Sequence, residues 1–182
     1  MRVFFRQITT DIKVSITIPQ YAEELYKLTE NNREFLKKWL PWLDNIHNQD
    51  DTNKFLQHQL SRFQKSEGVP EIIFYKGKIA GVLDFNKIDH ANGIGHIGYW
   101  LAKDYNGHGI MTQVVTDLIK LGFEYYSMQK VEIHCAVKNI PSRAIPERLG
   151  FKNEGVIRQA EKLYDRYVDH VVYGLLRDEF KC

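Results

Sequence analysis

The sequence predicts an α/β (α+β) fold, with a mixed central sheet of six to seven strands flanked by about four helices. Three observations carry this. Ile12, Val14, Ile16 and Ile18 alternate with Lys13, Ser15 and Thr17, the two-residue period of a half-buried strand. The apolar run Ile97 to Leu101 passes through a short glycine-bearing loop into a stretch where Ile110, Val114 and Leu118, and Met111, Val115, Ile119 and Phe123, recur at helical spacing. Beyond that helix, Val131, Ile133, Cys135 and Val137 alternate with Glu132, His134, Ala136 and Lys138, so another strand returns to the sheet.

The remaining elements fall into order between these. Pro19 ends the first strand and suits the first turn of a helix over Gln20 to Asn31, with Tyr21, Leu25 and Leu28 on one stripe. From Asn32 to Asp44, Phe35, Leu36, Trp39, Leu40, Trp42 and Leu43 crowd around Pro41, which interrupts any helix there. Asp50 or Asp51 is placed to cap the next helix, which carries Phe55, Leu56, Leu60 and Phe63 and ends near Glu67-Gly68. Ile72 to Tyr75 and Ile79 to Leu83 flank Lys76-Gly77-Lys78 as a hairpin, which leads into Phe85-Asn86 and a polar turn at Asp89 to Asn92. Asn139-Ile140-Pro141-Ser142 opens a short helix that Gly150 stops, and strands follow at Lys152 to Arg158 and Val168 to Leu176.

Composition bounds the partners. A chain of 182 residues with 43% hydrophobic content fits one domain, residues 1–182. A net charge of +2 with interspersed signs predicts neither nucleic-acid nor membrane binding. Cys135 and Cys182 offer no disulfide framework, and no apolar run reaches membrane-spanning length, so a reduced, cytoplasmic setting is expected. No His, Cys and carboxylate grouping along the chain has metal-ligand spacing, so no metal is expected. A monomer and a homodimer are equally compatible with these features.

Chemistry concentrates at Asn106-Gly107-His108-Gly109-Ile110-Met111-Thr112. Glycines let backbone amides approach a ligand without a Cβ in the way, and the first amides of a helix lack intrahelical partners and carry the positive end of its dipole. That combination suits a phosphate or pyrophosphate. A plain tight turn would read the same, and neither the dinucleotide fingerprint nor the P-loop fits.

The loop resembles the Q/R-x-x-G-x-G/A acyl-CoA loop of the GNAT N-acetyltransferases, with Asn106 and Met111 as departures at its two ends. Trp39-Leu40-Pro41-Trp42-Leu43, Ile97-Gly98-Tyr99-Trp100-Leu101, Asn139-Ile140-Pro141-Ser142, and Leu149-Gly150-Phe151 running through Glu154-Gly155 to Gln159-Ala160-Glu161 extend the likeness to the RimJ/RimL ribosomal-protein N-terminal acetyltransferases, in that family's order and spacing. The resemblance implies the GNAT fold and an acetyl-CoA-dependent transfer of acetyl to a primary amine by direct attack. The acceptor it implies is the N-terminal α-amine of a protein, a ribosomal one above all; a small amine such as a polyamine or aminoacyl nucleotide is the alternative acceptor, and a non-catalytic acyl-CoA-binding module is the alternative of another class.

The same resemblance assigns roles. It puts acetyl-CoA against the backbone of Tyr99, Trp100 and Leu101, at the loop and helix start from Asn106 through Gly107, His108, Gly109, Ile110 and Met111 to Thr112, and beside Asn139 and Ser142. Ser142 is implied as the acid near the leaving sulfur and Glu161 as the base. Many members carry Glu where this chain has His96, so His96 is a second candidate base, with a solvated histidine as the ordinary alternative. Trp39, Trp42, Phe85 and Asn86 are the candidates to shape the acceptor side, although the tryptophans would equally serve to pack helices onto the sheet. Ser142 is also a candidate N-cap of its helix.

Overall fold

In the computed structural model, which describes residues 5–181, the strands are β1 (Phe5–Gln7), β2 (Ile12–Ile16), β3 (Glu71–Tyr75), β4 (Lys78–Asp89), β5 (Ile94–Leu101), β6 (Lys130–Ala136), β7 (Lys152–Leu163) and β8 (Arg166–Leu176). They form one eight-stranded sheet in the order β1-β2-β3-β4-β5-β6-β8-β7. The helices are α1 (Ala22–Asn31), α2 (Arg33–Leu36), α3 (Gln49–Gln64), α4 (Ile110–Glu124) and α5 (Ile140–Arg148). The strand beyond the expected count is β1, three residues long, whose Phe5-Arg6-Gln7 carries no apolar alternation to betray it.

Alternation within each strand separates the two faces of the sheet. Ile73, Leu83, Ile97, Val131, Ile133 and Tyr173 pack with the apolar stripe of α4 in the larger core. On the other face Ile72, Phe74, Ile79 and Val82 pack under Ala22 and Leu25 of α1 and Leu56 of α3. The β3–β4 hairpin turns through Lys76 (φ 50°) and Gly77 (φ 78°), the left-handed pair that matches the twist of antiparallel strands.

Two local expectations are corrected. Asn48, not Asp50 or Asp51, is the N-cap of α3: its side chain accepts the Asp51 N–H at 3.0 Å, while Asp51 reaches back to accept the His47 N–H at 3.0 Å. Reciprocal bonding of this kind satisfies two end donors at once, which explains why the helix starts earlier than its charges suggest. Asn139, not Ser142, stands at the N-cap of α5, leaving Ser142 inside the first turn with its hydroxyl free for a tertiary contact.

Buried charge pins the sheet to its helices. Arg6 reaches from β1 to Glu71 of β3 at 2.6 and 3.0 Å and to Asp117 of α4 at 2.6 Å. Arg62 of α3 pairs with the buried Asp84 at 2.7 Å and donates to the Asn86 carbonyl at 2.6 Å. No described helix is long and apolar enough to cross a membrane. Cys135 is buried and free; Cys182 lies outside the described residues.

Candidate active site

The site begins where two strands part. β5 and β6 are the parallel neighbours in the sheet, paired from Ile94 with Lys130 to Ile97 with Ile133 and no further. Gly98 to Leu101 and His134 to Ala136 therefore turn unpaired edges toward each other, since each strand's outer edge is already taken by β4 or β8. An extended amide-bearing ligand can lie between them much as an added strand would.

Beyond the opening, the chain runs through a 3-10 turn at Lys103–Tyr105 into the glycine loop. Gly107 (φ 82°) and Gly109 (φ 72°) both take the left-handed conformation, which a side chain with a Cβ resists. A Cβ at Gly107 would meet nothing within 4 Å, so the loop is open to ligand, and no side chain caps the first turn of α4. Asn106 folds the loop instead, donating from Nδ2 to the carbonyls of Ala102 and Lys103 at 3.0 and 3.1 Å.

Several of the residues expected to hold the cofactor have their side chains engaged elsewhere. Ile110 and Leu101 are core residues by side chain. His108 stacks on Tyr75 with ring centroids 6.0 Å apart. Thr112 accepts from Arg148 at 2.8 Å, which ties α4 to α5.

A cavity of about 170 Å³ opens beside the free edge of β5, lined among others by Trp39, Tyr99, Trp100, Met111, Asn139 and Ser142. The Ser142 hydroxyl lies 3.2 Å from Cys135 Sγ, and the Tyr99 hydroxyl donates to the Ser142 carbonyl at 2.8 Å. Burial holds the Tyr99 hydroxyl well above its ordinary range and also pushes the Cys135 thiol up. Burial thereby disfavours the Cys135 thiolate, the nucleophilic form of the thiol.

A second cavity, of about 240 Å³, is lined by Trp39, Ala136 to Lys138 and Arg166 to Asp169. Trp39 faces both cavities and stands between them. The Tyr164 hydroxyl donates to the Lys37 carbonyl at 2.6 Å, which ties the β7–β8 turn to the end of α2.

The remaining candidates separate. Trp42 stacks on Phe55 of α3, with centroids 6.1 Å apart and an interplanar angle of 3°, and lies 6.4 Å from Trp100, so it packs behind the cleft wall. Phe85 does not reach the cleft: it is fully buried, and a Cβ on Gly95 or Gly122 would strike its ring within 3 Å, because β4 turns this residue toward α4. Asn86 beside it is exposed, since the register of β4 on β5 slips between Phe85 and Lys87 and Asn86 occupies the bulge. Its amide lies over Gly98, where a Cβ would come within 2.6 Å of Nδ2. Bulges re-aim side chains in this way near active sites.

Glu161 sits on β7 opposite Val168, a wall of the second cavity, and its carboxylate is 3.1 Å from His170 Nε2. His96 points to the α1/α3 face, with Nδ1 3.5 Å from Glu132 Oε2 and its ring 5.6 Å from that of His134. Burial lowers the His96 pKa, with Glu132 opposing. Glu132 is held below its ordinary value, burial opposing and the bonds from Lys130 and His134 prevailing. Glu132 and His134 were visible in the sequence only as the polar side of an alternating strand; their meeting with His96 needed the strand order.

Residues 16–152 match the family model described as Acetyltransferase (GNAT) domain. The ribosomal-protein-serine acetyltransferase of Escherichia coli (strain K12) is 32% identical over 177 residues, covering 94% of this chain and 99% of the relative. Among solved structures, RimL, a ribosomal-protein alpha-N-acetyltransferase in complex with coenzyme A as a cysteine disulfide, superposes with a TM-score of 0.92 at 29% identity, over 96% of this chain and 99% of its own. The microcin C7 self immunity acetyltransferase MccE, in complex with acetyl-CoA and AMP, gives a TM-score of 0.90 at 34% identity, over 93% and 94%. With its sheet parted between β5 and β6, its open glycine turn and these relatives, the chain belongs to the GNAT acetyltransferases, among the enzymes of RimJ/RimL type.

Proposed function

We propose that this acetyltransferase moves acetyl from acetyl-CoA to the N-terminal α-amine of a protein, a ribosomal protein in the first instance, by direct attack with both substrates bound. The observation that carries the reading is the parting of β5 and β6 between an uncapped helix start and Ser142, with a second cavity that shares Trp39 as a wall.

The residues present fit acetyl-CoA. Amides at the start of α4 offer donors and a dipole to the diphosphate, and the free edge of Tyr99 to Leu101 offers donors and acceptors to the amide-bearing arm. Ser142 and Asn139 line the same cleft, which supports placing the sulfur beside them. That RimL holds coenzyme A on one of its cysteines supports a sulfur subsite lined by cysteine, and Cys135, 3.2 Å from Ser142, fits it.

Transfer needs a neutral amine, a donor to the carbonyl oxygen as charge develops there, and a proton for the departing sulfur. Ser142 supplies that proton. A backbone N–H on the free edge of β5 faces the carbonyl oxygen. Glu161, in register with Val168 of the second cavity's wall, takes the amine proton through water. An α-amine has a reference pKa of about 7.7 to 8.0, so a modest base suffices.

A second acceptor class has its own support, because MccE was solved with AMP as well as acetyl-CoA. An aminoacyl nucleotide presents an α-amine too, and the same chemistry serves it. The test is mass spectrometry of cell extract incubated with the enzyme and labelled acetyl-CoA, followed by assays on free-terminus peptides and on aminoacyl nucleotides. Label on protein N-termini is the expected result; label confined to small amines overturns the protein acceptor.

A further inference from the structure

The cluster on the α1/α3 face of β5 and β6 stands apart from the acetyl-transfer cleft, since none of its members lines either cavity. His96 and Glu132 are direct partners in the parallel register, and His134 follows Glu132 by two residues, so alternation turns all three side chains to one face. We propose that His96, Glu132 and His134 form a binding site for a divalent transition-metal ion of the zinc type.

The geometry is close to what such an ion requires. His134 Nε2 lies 2.9 Å and His96 Nδ1 3.5 Å from Glu132 Oε2, and the three ligand atoms all fall within 4.8 Å of one another. Zinc sits about 2.0–2.2 Å from imidazole nitrogen and carboxylate oxygen, so two ligands on one ion are roughly 3.5 Å apart at tetrahedral angles. Closing the set takes side-chain adjustment on the order of 1 Å, at most about 1.3 Å for the widest pair.

The support around the cluster is already built. Lys130 Nζ holds the other carboxylate oxygen, Glu132 Oε1, at 2.7 Å and is itself held by Glu154 at 2.6 Å. Oε2 is thereby aimed at the two imidazoles, as a bonded outer partner aims a ligating carboxylate. The side chains are partly accessible, at 24% for His96, 13% for Glu132 and 31% for His134, so an ion can enter and keep water in its fourth position. Two imidazoles and one carboxylate select zinc, copper, nickel or cobalt over magnesium or calcium, which prefer all-oxygen sets.

The test uses tag-free full-length protein stripped by chelator dialysis. It is titrated with Zn²⁺ in competition with a chromophoric chelator, and with Co²⁺ to read the ligand-field absorption. One equivalent bound, a tetrahedral Co²⁺ spectrum, and affinity weakened at least tenfold by His134→Ala and by Glu132→Gln but not by His58→Ala on exposed α3 are expected. Stoichiometry below one, a purely octahedral aquo spectrum, or affinity unaltered by His134→Ala would overturn the site. Circular dichroism of each variant separates ligand loss from misfolding.

Discussion

The Tyr99 hydroxyl donates a 2.8 Å hydrogen bond to the Ser142 carbonyl across the parting of the sheet, joining β5 to the first turn of α5. It is a strut between the strand proposed to receive the acyl donor and the residue proposed to protonate its sulfur. Removing it with Tyr99→Phe keeps the ring packing and loses one hydrogen bond, worth about 1 kcal/mol. A fall in melting temperature of about 2–4 °C is expected for a chain of this size. Turnover should drop about tenfold, from misplaced Ser142, with acetyl-CoA affinity within about twofold of wild type. Thermal unfolding and steady-state kinetics check both.

Ser142→Ala separates acid from scaffold. Because Asn139 is the N-cap, the Ser142 hydroxyl is not needed to start α5, and its contact is with Cys135. Turnover should fall by about 10² while coenzyme affinity by calorimetry stays nearly constant. Equal losses in both would remove Ser142 from the chemistry.

Gly109→Val places a β-branched residue at φ 72°. The strain is about 1–3 kcal/mol, and the most direct relief is to turn the loop amides away from the ligand. Coenzyme affinity should weaken about tenfold or more with the circular dichroism spectrum unchanged; undiminished affinity would move the diphosphate elsewhere.

Arg62→Met tests the clamp on the bulge. Arg62 neutralises the buried Asp84, whose pKa burial nonetheless raises, and it holds the Asn86 carbonyl. Leaving Asp84 unpaired should cost about 3–5 kcal/mol of stability in chemical denaturation.

Glu71 gives a pH dependence of known sign. Full burial lifts it to about 7 from 4.5, against the pull of Arg6. Between those values the folded chain binds more protons than the unfolded one, so this contribution is fully present below pH 4.5 and is lost as pH rises through 7. Unfolding free energy should decline by about 1–3 kcal/mol from that residue across this window, a slope that Glu71→Gln flattens.

The glycine turn, the parted strand and α4 were legible because each rests on local signals: paired glycines, an apolar run, a helical stripe. The position of Trp39 between two cavities was not, since the crowded aromatics from Phe35 to Trp42 read equally as wall and as packing. The structure divides them, Trp39 to the cleft and Trp42 to Phe55. Phe85 and Asn86 looked alike as neighbours past the hairpin, and only the slipped register, invisible without the partner strand, sends one inward and the other out. The cluster of His96, Glu132 and His134 was hidden for the same reason: strands far apart in sequence had to be laid side by side.

Where β5 and β6 stop pairing after Ile97 and Ile133, the molecule carries an unfinished seam through its own middle. On the proposed binding mode, recognition along that seam is written in peptide groups, which every residue possesses, so mutation can exchange the side chains there at little cost to coenzyme capture. An inserted or deleted residue that moved the fork would be far less forgivable. Such an economy would let the opposite wall be remodelled for new amines while the acyl donor kept the same berth.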